Sequence, residues 1–553
     1  MEIDRRTALG LIGLGAAAPA TAQPIKSKVS FRHGVASGDP LQDRVVLWTR
    51  ITLGTPGGQL AYRWKLNPID RRAGGAKSGS GVTGPERDYT VKVDVAGLDS
   101  GRAYTFTFEA GGVTSPIGRT MTLPAGPTKD VVIAVASCSL YPQGYFNAYR
   151  AMADLPRLDL VLHMGDYIYE YGGPGTYGME SAVAKVRPHD PPREILSLAD
   201  YRQRHAQYKS DPDLQAAHAR AAWIVAWDDH ETTNDSYASG AQNHQPATEG
   251  DWTARKAVAL KAYYEWMPIR EPKAGQSMAE AAARSFRIGD LAQIIMLETR
   301  LTARDKQLTY DNDMPMVDGK PDFAAFRTKL YDPARRIMGP VQEAWLAGEL
   351  AGSVNAGHAW QVIGTGVFMA RVKIPNPMTD FPAEALASLD EAGRNRVRRW
   401  TALAGQPYGL DMWDGYPVDR ERVYEMIKQA GARPIVVSGD SHAFWASELS
   451  DASGKRVACE FGGTSITSPG GGDAVNFDIG AAFAKVSDEV VYNDQSSKGF
   501  VLVTLSRDAA RGDLVAVSTI IDRAFKVRTA KSFEARPEGA GISALKDVSP
   551  PSP

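Results

Sequence analysis

Six short, strongly apolar runs lie between residues 131 and 437, and each is followed directly by polar side chains. The runs and the residues after them are Val131–Ala136 before Ser137-Cys138, Leu158–Leu162 before His163 to Asp166, Ala222–Trp227 before Asp228 to Glu231, Ile294–Leu297 before Glu298 to Arg300, Trp360–Ile363 before Gly364 to Gly366, and Ile435–Val437 before Ser438 to His442. Helical patterns separate them, at Phe146–Ala153, Thr253–Trp266, Val341–Leu350 and Arg420–Gln429. Short buried strands that alternate with helices are typical of a sheet covered on both faces, so we predict an α/β fold.

Four of these strand ends carry residues that can bind metal ions or move protons. They are Cys138, Asp166, the pair Asp229-His230, and Asp440 with His442. In α/β sheets, ligands bind beyond the carboxyl ends of the strands. The sequence therefore predicts one shared site at this edge.

Residues 29–124 follow a different pattern, in which apolar and polar side chains alternate as they do in half-buried strands. Alternation is strict at Val91–Val95 and at Tyr104–Phe108. The segment Leu98–Tyr104 resembles the tyrosine corner of fibronectin-like domains. We predict a fibronectin- or Ig-like β-sandwich over residues 29–124, with the Gly/Ser-rich stretch Gly74–Gly84 as a loop.

Changes in composition predict the later boundaries. Pro124-Ala125-Gly126-Pro127 is typical of a linker, which places an α/β catalytic domain at residues 128–530. Beyond it, residues 531–553 are rich in Ala, Gly, Ser and Pro, and we predict a weakly structured tail there.

The first 22 residues have the features of an export signal. Arg5-Arg6 precedes the apolar stretch Ala8–Ala20, and Ala20-Thr21-Ala22 matches a cleavage site. We predict a twin-arginine-type signal peptide over residues 1–22, with an ordinary secretory signal as the alternative. The expected location is periplasmic or extracellular, and the expected export partner is the twin-arginine machinery. No later segment has 18 unbroken apolar residues, so no transmembrane span is predicted.

Composition excludes several classes of protein. Lys and Arg number 63 against 64 Asp and Glu, a net charge of −1, so a protein that coats nucleic acids is not expected. With 43% hydrophobic residues the chain is not disordered. Two cysteines exclude a disulfide-stapled scaffold.

The strongest local motif is Gly165-Asp166-Tyr167-Ile168-Tyr169, which follows a predicted strand. Glycine allows the sharp turn that leaves the next carboxylate at the strand tip. A carboxylate there can bridge two metal ions, as in two-metal phosphoryl displacement. Together with the other three strand ends, this order of motifs matches a metallophosphatase site.

The sequence as a whole resembles the alkaline phosphatase D (PhoD-like) family of phosphatases and phosphodiesterases. The motifs that carry the resemblance are Ser37-Gly38-Asp39-Pro40, Val46-Leu47-Trp48-Thr49-Arg50, Ala136-Ser137-Cys138, Gly165-Asp166-Tyr167-Ile168-Tyr169, Trp227-Asp228-Asp229-His230-Glu231, Trp413-Asp414-Gly415-Tyr416 and Ser438-Gly439-Asp440-Ser441-His442. The resemblance implies a calcineurin-like four-layer α/β sandwich core, preceded by the N-terminal β-sandwich.

The resemblance also implies a site that holds iron(III) beside calcium ions. The implied iron ligands are Cys138, Asp166, Tyr169 and His442, and the implied calcium ligands are Asp229, Asn234 and Asp440, with Asp166 bridging. Oxygen-only ligation suits Ca²⁺ far better than Zn²⁺, although other divalent metals stay open. Asp228 and Asp235 are alternatives to Asn234.

The resemblance further implies in-line attack on phosphorus by a hydroxide held on the trivalent metal, with Asp229 and His230 as catalytic residues. His230 is expected to steer or protonate the leaving oxygen. Arg300 is expected either to bind phosphate or to anchor a carboxylate. For Cys138, a buried apolar role or a disulfide with Cys459 are the alternatives to metal binding.

The predicted function is that of an exported, metal-dependent phosphomonoesterase or phosphodiesterase active at alkaline pH. Its expected substrates are small phosphate esters, including diesters or phospholipid headgroups. A phospholipase D-like phosphodiester hydrolase and a non-catalytic surface-binding protein are the alternatives.

Overall fold

The computed structural model describes residues 28–550, apart from residues 56, 70–73, 174, 388, 390 and 476. The predicted signal peptide, residues 1–22, lies outside this part of the chain. Among the described helices, none combines the length and the apolar character needed to cross a bilayer.

All six predicted strands are present, and three of them lie in each of two large sheets. In spatial order the first sheet contains Lys546–Asp547, Val527–Ala535, Ala510–Val517, Lys498–Ser506, Asp130–Ala136, Leu160–His163, Ala222–Val225, Val35–Gly38, Arg44–Arg50 and Thr90–Ala96. The second contains Arg284–Ile288, Ala292–Met296, Trp360–Thr365, Pro434–Ser438, Arg456–Gly462, Phe444–Ser450 and Val490–Asp494. The predicted strands pair in parallel within each sheet, so their carboxyl ends share one edge.

One apolar core lies between the two sheets, and two further cores lie on their outer faces. Because successive side chains of a strand point to opposite faces, Ile294 joins the core between the sheets and Ile295 joins an outer core. Ile133 and Ala134 divide in the same way in the first sheet. Strands buried on both faces explain why these runs are continuously apolar.

Helices cover the outer faces. Those of seven or more residues are Asn147–Ala153, Leu198–Lys209, Pro212–Arg220, Trp252–Trp266, Phe323–Leu330, Pro340–Asn355, Glu391–Leu403, Pro417–Ala430 and Ile479–Val486. All four predicted helices are present. Side-chain and glycine caps set their ends: the Asp251 carboxylate accepts from the Ala254 N–H at the start of one, and Gly431, at φ 64°, ends another.

Short elements complete the description. Short helices and single turns are Pro85–Arg87, Val183–Lys185, Pro246–Glu249, Glu280–Ala282, Tyr310–Asp313, Pro377–Asp380, Ala383–Ala387, Trp413–Gly415 and Gly471–Ala474. Two-residue strand pairs are Val29–Ser30 with Thr52–Leu53, Ser236–Tyr237 with Gly240–Ala241, Met316–Val317 with Lys320–Pro321, and Pro537–Glu538 with Gly541–Ile542.

Besides the pair Val29–Ser30 with Thr52–Leu53, the N-terminal region contributes strands to two larger sheets. Its own sheet has the order Gly118–Met121, Ala103–Ala110, Leu60–Pro68 and Lys77–Thr83, with Val113–Thr114 added to the second of these. The strands Val35–Gly38, Arg44–Arg50 and Thr90–Ala96 belong to the ten-stranded sheet, where Val35–Gly38 pairs in parallel with Ala222–Val225. The Asp99 N–H donates to the Tyr104 hydroxyl at 3.2 Å, the contact that the tyrosine-corner pattern predicts.

The prediction of a loop at Gly74–Gly84 is wrong, because residues 77–83 form a strand. Gly79 lies opposite Trp64 and Gly81 lies opposite Tyr62 on the neighbouring strand. A Cβ atom at these glycines would lie 2.7 Å and 2.5 Å from the two aromatic side chains. The glycines make room for the rings that pack across them.

The prediction of a weakly structured tail is also wrong for residues 531–550. Val527–Ala535 pairs along the strand Ala510–Val517, and Lys546–Asp547 pairs with it on the other side. Phe533 and Leu545 are buried in the core between the sheets.

Candidate active site

The two sheets meet where their strands end. Ser137, directly after the strand Asp130–Ala136, forms a bridge pair with Ser465, which follows the strand Arg456–Gly462 of the second sheet. The Ile466 N–H also donates to the Ser137 carbonyl at 3.0 Å. This seam brings the polar strand ends of both sheets to one place.

Four predicted ligands adopt a backbone conformation that is uncommon for residues with a Cβ atom. The angle φ is 60° at Cys138, 56° at Asp166, 64° at Asp440 and 57° at His442. Non-glycine residues in this left-handed region are energetically costly and cluster at functional sites. Each of the four lies shortly after a strand, so the strain is concentrated at the shared edge.

Gly165 allows two of the strand ends to approach each other. Its φ is 106°, and a Cβ atom there would lie 2.3 Å from the Asp228 nitrogen. The Cys138 N–H donates to the Gly165 carbonyl at 3.2 Å. Three strand ends of the first sheet are therefore in backbone contact.

Three groups of side chains lie close enough to hold metal ions. Within each group the ligand atoms all lie within 4.8 Å of one another. The groups are Cys138 with Asp166 and His442, Asp166 with Asp229 and His230, and Asp166 with Asp228, Asp229 and Asp440. Asp166 belongs to all three groups, as expected for a bridging ligand.

Tyr169 lies beside the first of these groups. Its hydroxyl donates to Asp166 Oδ2 at 3.1 Å and lies 3.5 Å from His442 Nε2. The Ser468 hydroxyl donates to the Tyr169 hydroxyl oxygen at 2.6 Å. The phenol oxygen is therefore within the predicted iron-ligand cluster.

The tautomer of His442 is fixed by the backbone. Its Nδ1 lies 2.8 Å from the Pro469 carbonyl oxygen, which can only accept, so Nδ1 carries the proton. Burial, with Lys498 nearby, lowers the pKa of His442 to about 3. The neutral ring thus leaves Nε2 with a free electron pair, the form in which histidine binds metals.

His230 pairs with a buried glutamate. Its Nδ1 lies 2.7 Å from Glu170 Oε2, while Glu170 Oε1 accepts from the Asn234 N–H, the Thr233 hydroxyl and the Asn243 amide. Burial opposes a charge on either side chain. Nevertheless, Asp229 and Glu170 raise the pKa of His230 well above its ordinary value, and His230 and the amide donors lower the pKa of Glu170 to about 2. The neighbouring carboxylates therefore favour the protonated form of the His230 ring.

Asn234, Asp228 and Asp235 are the three candidates for one calcium-ligand position. The Asn234 side-chain amide donates to Gln242 at 3.1 Å. Asp228 belongs to the third ligand group. Asp235 is joined to the site through its N–H, which donates to Asp229 Oδ2 at 2.6 Å. The ligand role of Asn234 stays a prediction, and Asp228 is the alternative that lies in the cluster.

Arg300 is engaged with carboxylates. Its Nε and Nη2 donate to the two oxygens of Asp228, at 2.6 Å and 3.0 Å, and its Nη1 donates to Asp411 at 2.9 Å. The side chain has no exposed surface. This arrangement corresponds to the carboxylate-anchoring alternative, and phosphate binding by Arg300 stays a prediction.

Both cysteines are free and buried, so the disulfide alternative is wrong. Burial, and then the Asp166 carboxylate, raise the pKa of the Cys138 thiol well above its ordinary value. A thiolate at Cys138 therefore needs positive charge beside it.

The cluster as a whole carries an excess of acidic groups. Burial, reinforced by neighbouring carboxylates, raises the pKa of Asp228 to about 6 and that of Asp235 to about 7, and raises those of Asp166 and Asp440 well above the ordinary value. Polyvalent cations reverse such shifts, because they favour the ionised acids. The carboxylate and phenol oxygens suit hard cations such as calcium, and iron also accepts imidazole and thiolate donors. The residues present therefore fit the predicted metals.

Two buried glutamates that were not predicted as site residues hold the site in place. Glu170 orients His230. Glu231 accepts from the N–H groups of Asp166 and Asp228 at 3.0 Å and 2.9 Å, and from that of Tyr167 at 2.7 Å. A signal for both was available, since each directly follows a predicted site residue beyond an apolar strand.

Sequence profiles identify the family. The profile of the PhoD-like phosphatases matches residues 133–514, and that of the PhoD-like phosphatase N-terminal domain matches residues 16–124. The chain belongs to the PhoD-like phosphatase family.

Individual PhoD-like proteins agree with this assignment. Alkaline phosphatase D of Bacillus subtilis (strain 168) is 34% identical over 536 residues, which are 94% of this chain and 83% of that protein. A solved structure described as "Structure of PhoD" superposes with a TM-score of 0.78 and 32% identity, covering 96% of this chain and 94% of the other. The predicted mixed α/β fold is confirmed.

This PhoD-like phosphatase is accordingly a hydrolase of phosphoric ester bonds. The predicted enzyme class is confirmed. The non-catalytic alternative is not retained.

Proposed function

We propose that this PhoD-like phosphatase is an exported hydrolase of phosphate monoesters and diesters that depends on iron(III) and calcium ions. The observation that carries the proposal is the convergence of strained, acidic strand ends on Asp166, which belongs to all three ligand groups. No other feature of the described residues gathers as many metal donors.

Cys138, Asp166, Tyr169 and His442 would hold the iron, and Asp229, Asp440 and either Asn234 or Asp228 would hold calcium with Asp166. When bound, these cations would neutralise charge on the phosphoryl oxygens and lower the pKa of water. The anionic donor set supports this assignment, because its acids would otherwise repel one another.

His230 would protonate the leaving oxygen. Glu170 holds the Nδ1–H and leaves the Nε2–H for transfer. Asp229 and Glu170 raise the pKa of His230 despite burial, which favours the protonated form that a general acid requires.

The finer architecture and the location are part of the proposal. Apolar cores on both faces of each sheet support a calcineurin-like four-layer sandwich, and the Tyr104 contact supports a fibronectin-like N-terminal region. Arg5-Arg6 and the Ala20-Thr21-Ala22 site support twin-arginine export to the periplasm or the medium.

The experiment is a joint measurement of metal content and of turnover of a phosphate monoester and a phosphate diester by the exported enzyme. Asp166→Asn is expected to lose bound metal and turnover together, while Asp547→Asn, in the exposed C-terminal strand, serves as the matched control. Full turnover by Asp166→Asn would refute the site. An Arg5→Lys, Arg6→Lys double variant is expected to stay in the cytoplasm.

A further inference from the structure

A cavity of about 420 Å³ opens beside the candidate active site. The helix Glu391–Leu403 forms one wall, where Gly393, Val397 and Trp400 follow one another at the spacing of a single helix face. Aromatic rings form much of the remainder, from Phe381, Tyr408, Phe477 and Phe483. Cavities of this size with apolar walls are typical of small-molecule sites.

The rings support one another and give the cavity a firm apolar wall. Tyr408 and Phe483 have ring centroids 4.7 Å apart, Phe381 and Phe477 lie 4.9 Å apart, and Trp400 lies 5.7 Å from Phe483. Aromatic pairs at these distances are mutually stabilising.

The cavity borders a segment that packs against His442, one of the predicted metal ligands. Gly470 lines it, and a Cβ atom at Gly470 would lie 2.9 Å from the His442 carbonyl oxygen and 3.5 Å from the His442 Cβ. Gly471, which also lines the cavity, would carry a Cβ atom 3.9 Å from the Tyr408 hydroxyl oxygen. One wall of the cavity therefore lies against the backbone of a predicted metal ligand.

Arg396 gives the cavity a cationic rim. Its side chain is exposed, and it makes no ion pair with any residue that the structure describes. Arg399, also at the rim, pairs with Asp311 at 2.9 Å. An apolar wall with one unpaired cation fits a molecule that combines an apolar group with an anion.

We propose that this cavity binds the apolar alcohol substituent of a phosphate diester while the phosphate lies at the metal cluster. The substrate class would be diesters that carry an alkyl or aryl group, with Arg396 attracting the anionic phosphate. The proposal rests on the proposed function and specifies the substrate of the same site.

The test compares two diesters with the same leaving group, methyl 4-nitrophenyl phosphate and hexyl 4-nitrophenyl phosphate, on the metal-loaded full-length enzyme. Each buried methylene is worth up to about fourfold in affinity, so kcat/KM for the hexyl ester is expected to be higher by about tenfold or more, mainly through KM. Val397→Trp, which fills the cavity, is expected to reduce this ratio by about fivefold or more. Val341→Trp, at a position 82% exposed on another helix, is the matched control and should keep the ratio.

Equal kcat/KM for the two esters, or a ratio that Val397→Trp does not change, would overturn the proposal. A Val397→Trp variant that changes the oligomeric state but keeps the ratio would assign the cavity to a second copy of the chain and would overturn it as well.

Failure of the proposed function is distinguishable, because neither ester would then be hydrolysed. In that case, calorimetry that compares the binding of hexylphosphonate and methylphosphonate tests whether the cavity holds an apolar group. Tighter binding of the hexyl compound that is lost in Val397→Trp supports the cavity as an apolar subsite, and equal binding overturns it.

Discussion

Glu170 Oε2 lies 2.7 Å from Nδ1 of His230, and neither side chain has appreciable exposure to solvent. The glutamate is itself held by three further donors, so the imidazole ring has a fixed partner on one side. Its Nε2 is then left for the reaction, as in other carboxylate-oriented histidines.

This pairing predicts how variants depend on the leaving group. His230→Ala is expected to lower kcat by about 10²- to 10⁴-fold for alkyl phosphates, whose leaving oxygens need a proton. The loss should be much smaller for 4-nitrophenyl phosphate, whose leaving group departs as an anion. Glu170→Gln should show the same pattern more weakly. Steady-state kinetics with both substrate types measures it, and equal losses for the two would contradict the acid role.

The close approach of Gly165 to the Asp228 backbone predicts that one added methyl group at Gly165 disrupts the site. Gly165→Ala would place a Cβ atom 2.3 Å from the Asp228 nitrogen at a φ of 106°, so we expect a large fall in Tm together with loss of metal binding. Gly357→Ala is the control, since φ is also positive there but no atom lies within 4 Å of the added carbon. That change should cost only about 1 to 2 kcal/mol. Thermal unfolding measures both variants, and a similar fall in Tm for the two would contradict the account.

Metal removal should make stability depend on pH in a defined direction. Without cations, the folded-state pKa values of Asp228 and Asp235 are raised to about 6 and about 7. Because these exceed the unfolded values near 4, the folded state keeps protons that the unfolded chain loses, and stability falls as pH rises from about 4 to about 7. Cations remove this penalty.

We therefore expect the difference in Tm between metal-loaded and metal-stripped enzyme to grow between about pH 5 and pH 7. Calorimetric scans of both forms across this range measure it. A difference that is constant or shrinks with pH would argue against cations at these carboxylates.

Lys209 provides a prediction about stability away from the metals. Its side chain is buried between Trp48 and Tyr167, its Nζ lies 3.1 Å from His218 Nε2, and burial lowers its pKa well below the ordinary value. The unfolded chain binds this proton more tightly at any pH below about 10.4, so burial of Lys209 destabilises the fold in that range. Lys209→Met should therefore raise the free energy of unfolding at neutral pH.

The gain from Lys209→Met should shrink as pH approaches about 10.4, where the unfolded lysine also loses its proton. Denaturant unfolding at two pH values measures this, with the exposed Lys455→Met as control. No gain at neutral pH would show that Lys209 is stabilised as a cation by a partner.

The sequence predicted well those elements whose signal is local. Strands such as Leu160–His163 are buried on both faces and so read as apolar runs, and helices such as Trp252–Trp266 carry their own caps. Parallel order within the first sheet also placed Cys138, Asp166 and Asp229 at one edge. Asp440 follows a strand of the second sheet and joins them because the two sheets meet there.

Features that depend on distant partners were not predictable. The strand at Gly79 and Gly81 depends on Trp64 and Tyr62 across the sheet, and the strand Val527–Ala535 depends on its pairing with Ala510–Val517. Composition indicated flexibility in both. Likewise, the contact of Glu170 with His230 forms only in the folded chain, although the place of Glu170 directly after Tyr169 was a signal that the sequence offered.

The most direct test of the central claim is the metal content and visible absorption of the exported enzyme, measured together with its turnover. We expect iron and calcium in the active protein and a visible charge-transfer band that changes in Tyr169→Phe, because the Tyr169 phenol oxygen lies within the Asp166 and His442 cluster. A colourless, iron-free preparation with full turnover would contradict the account.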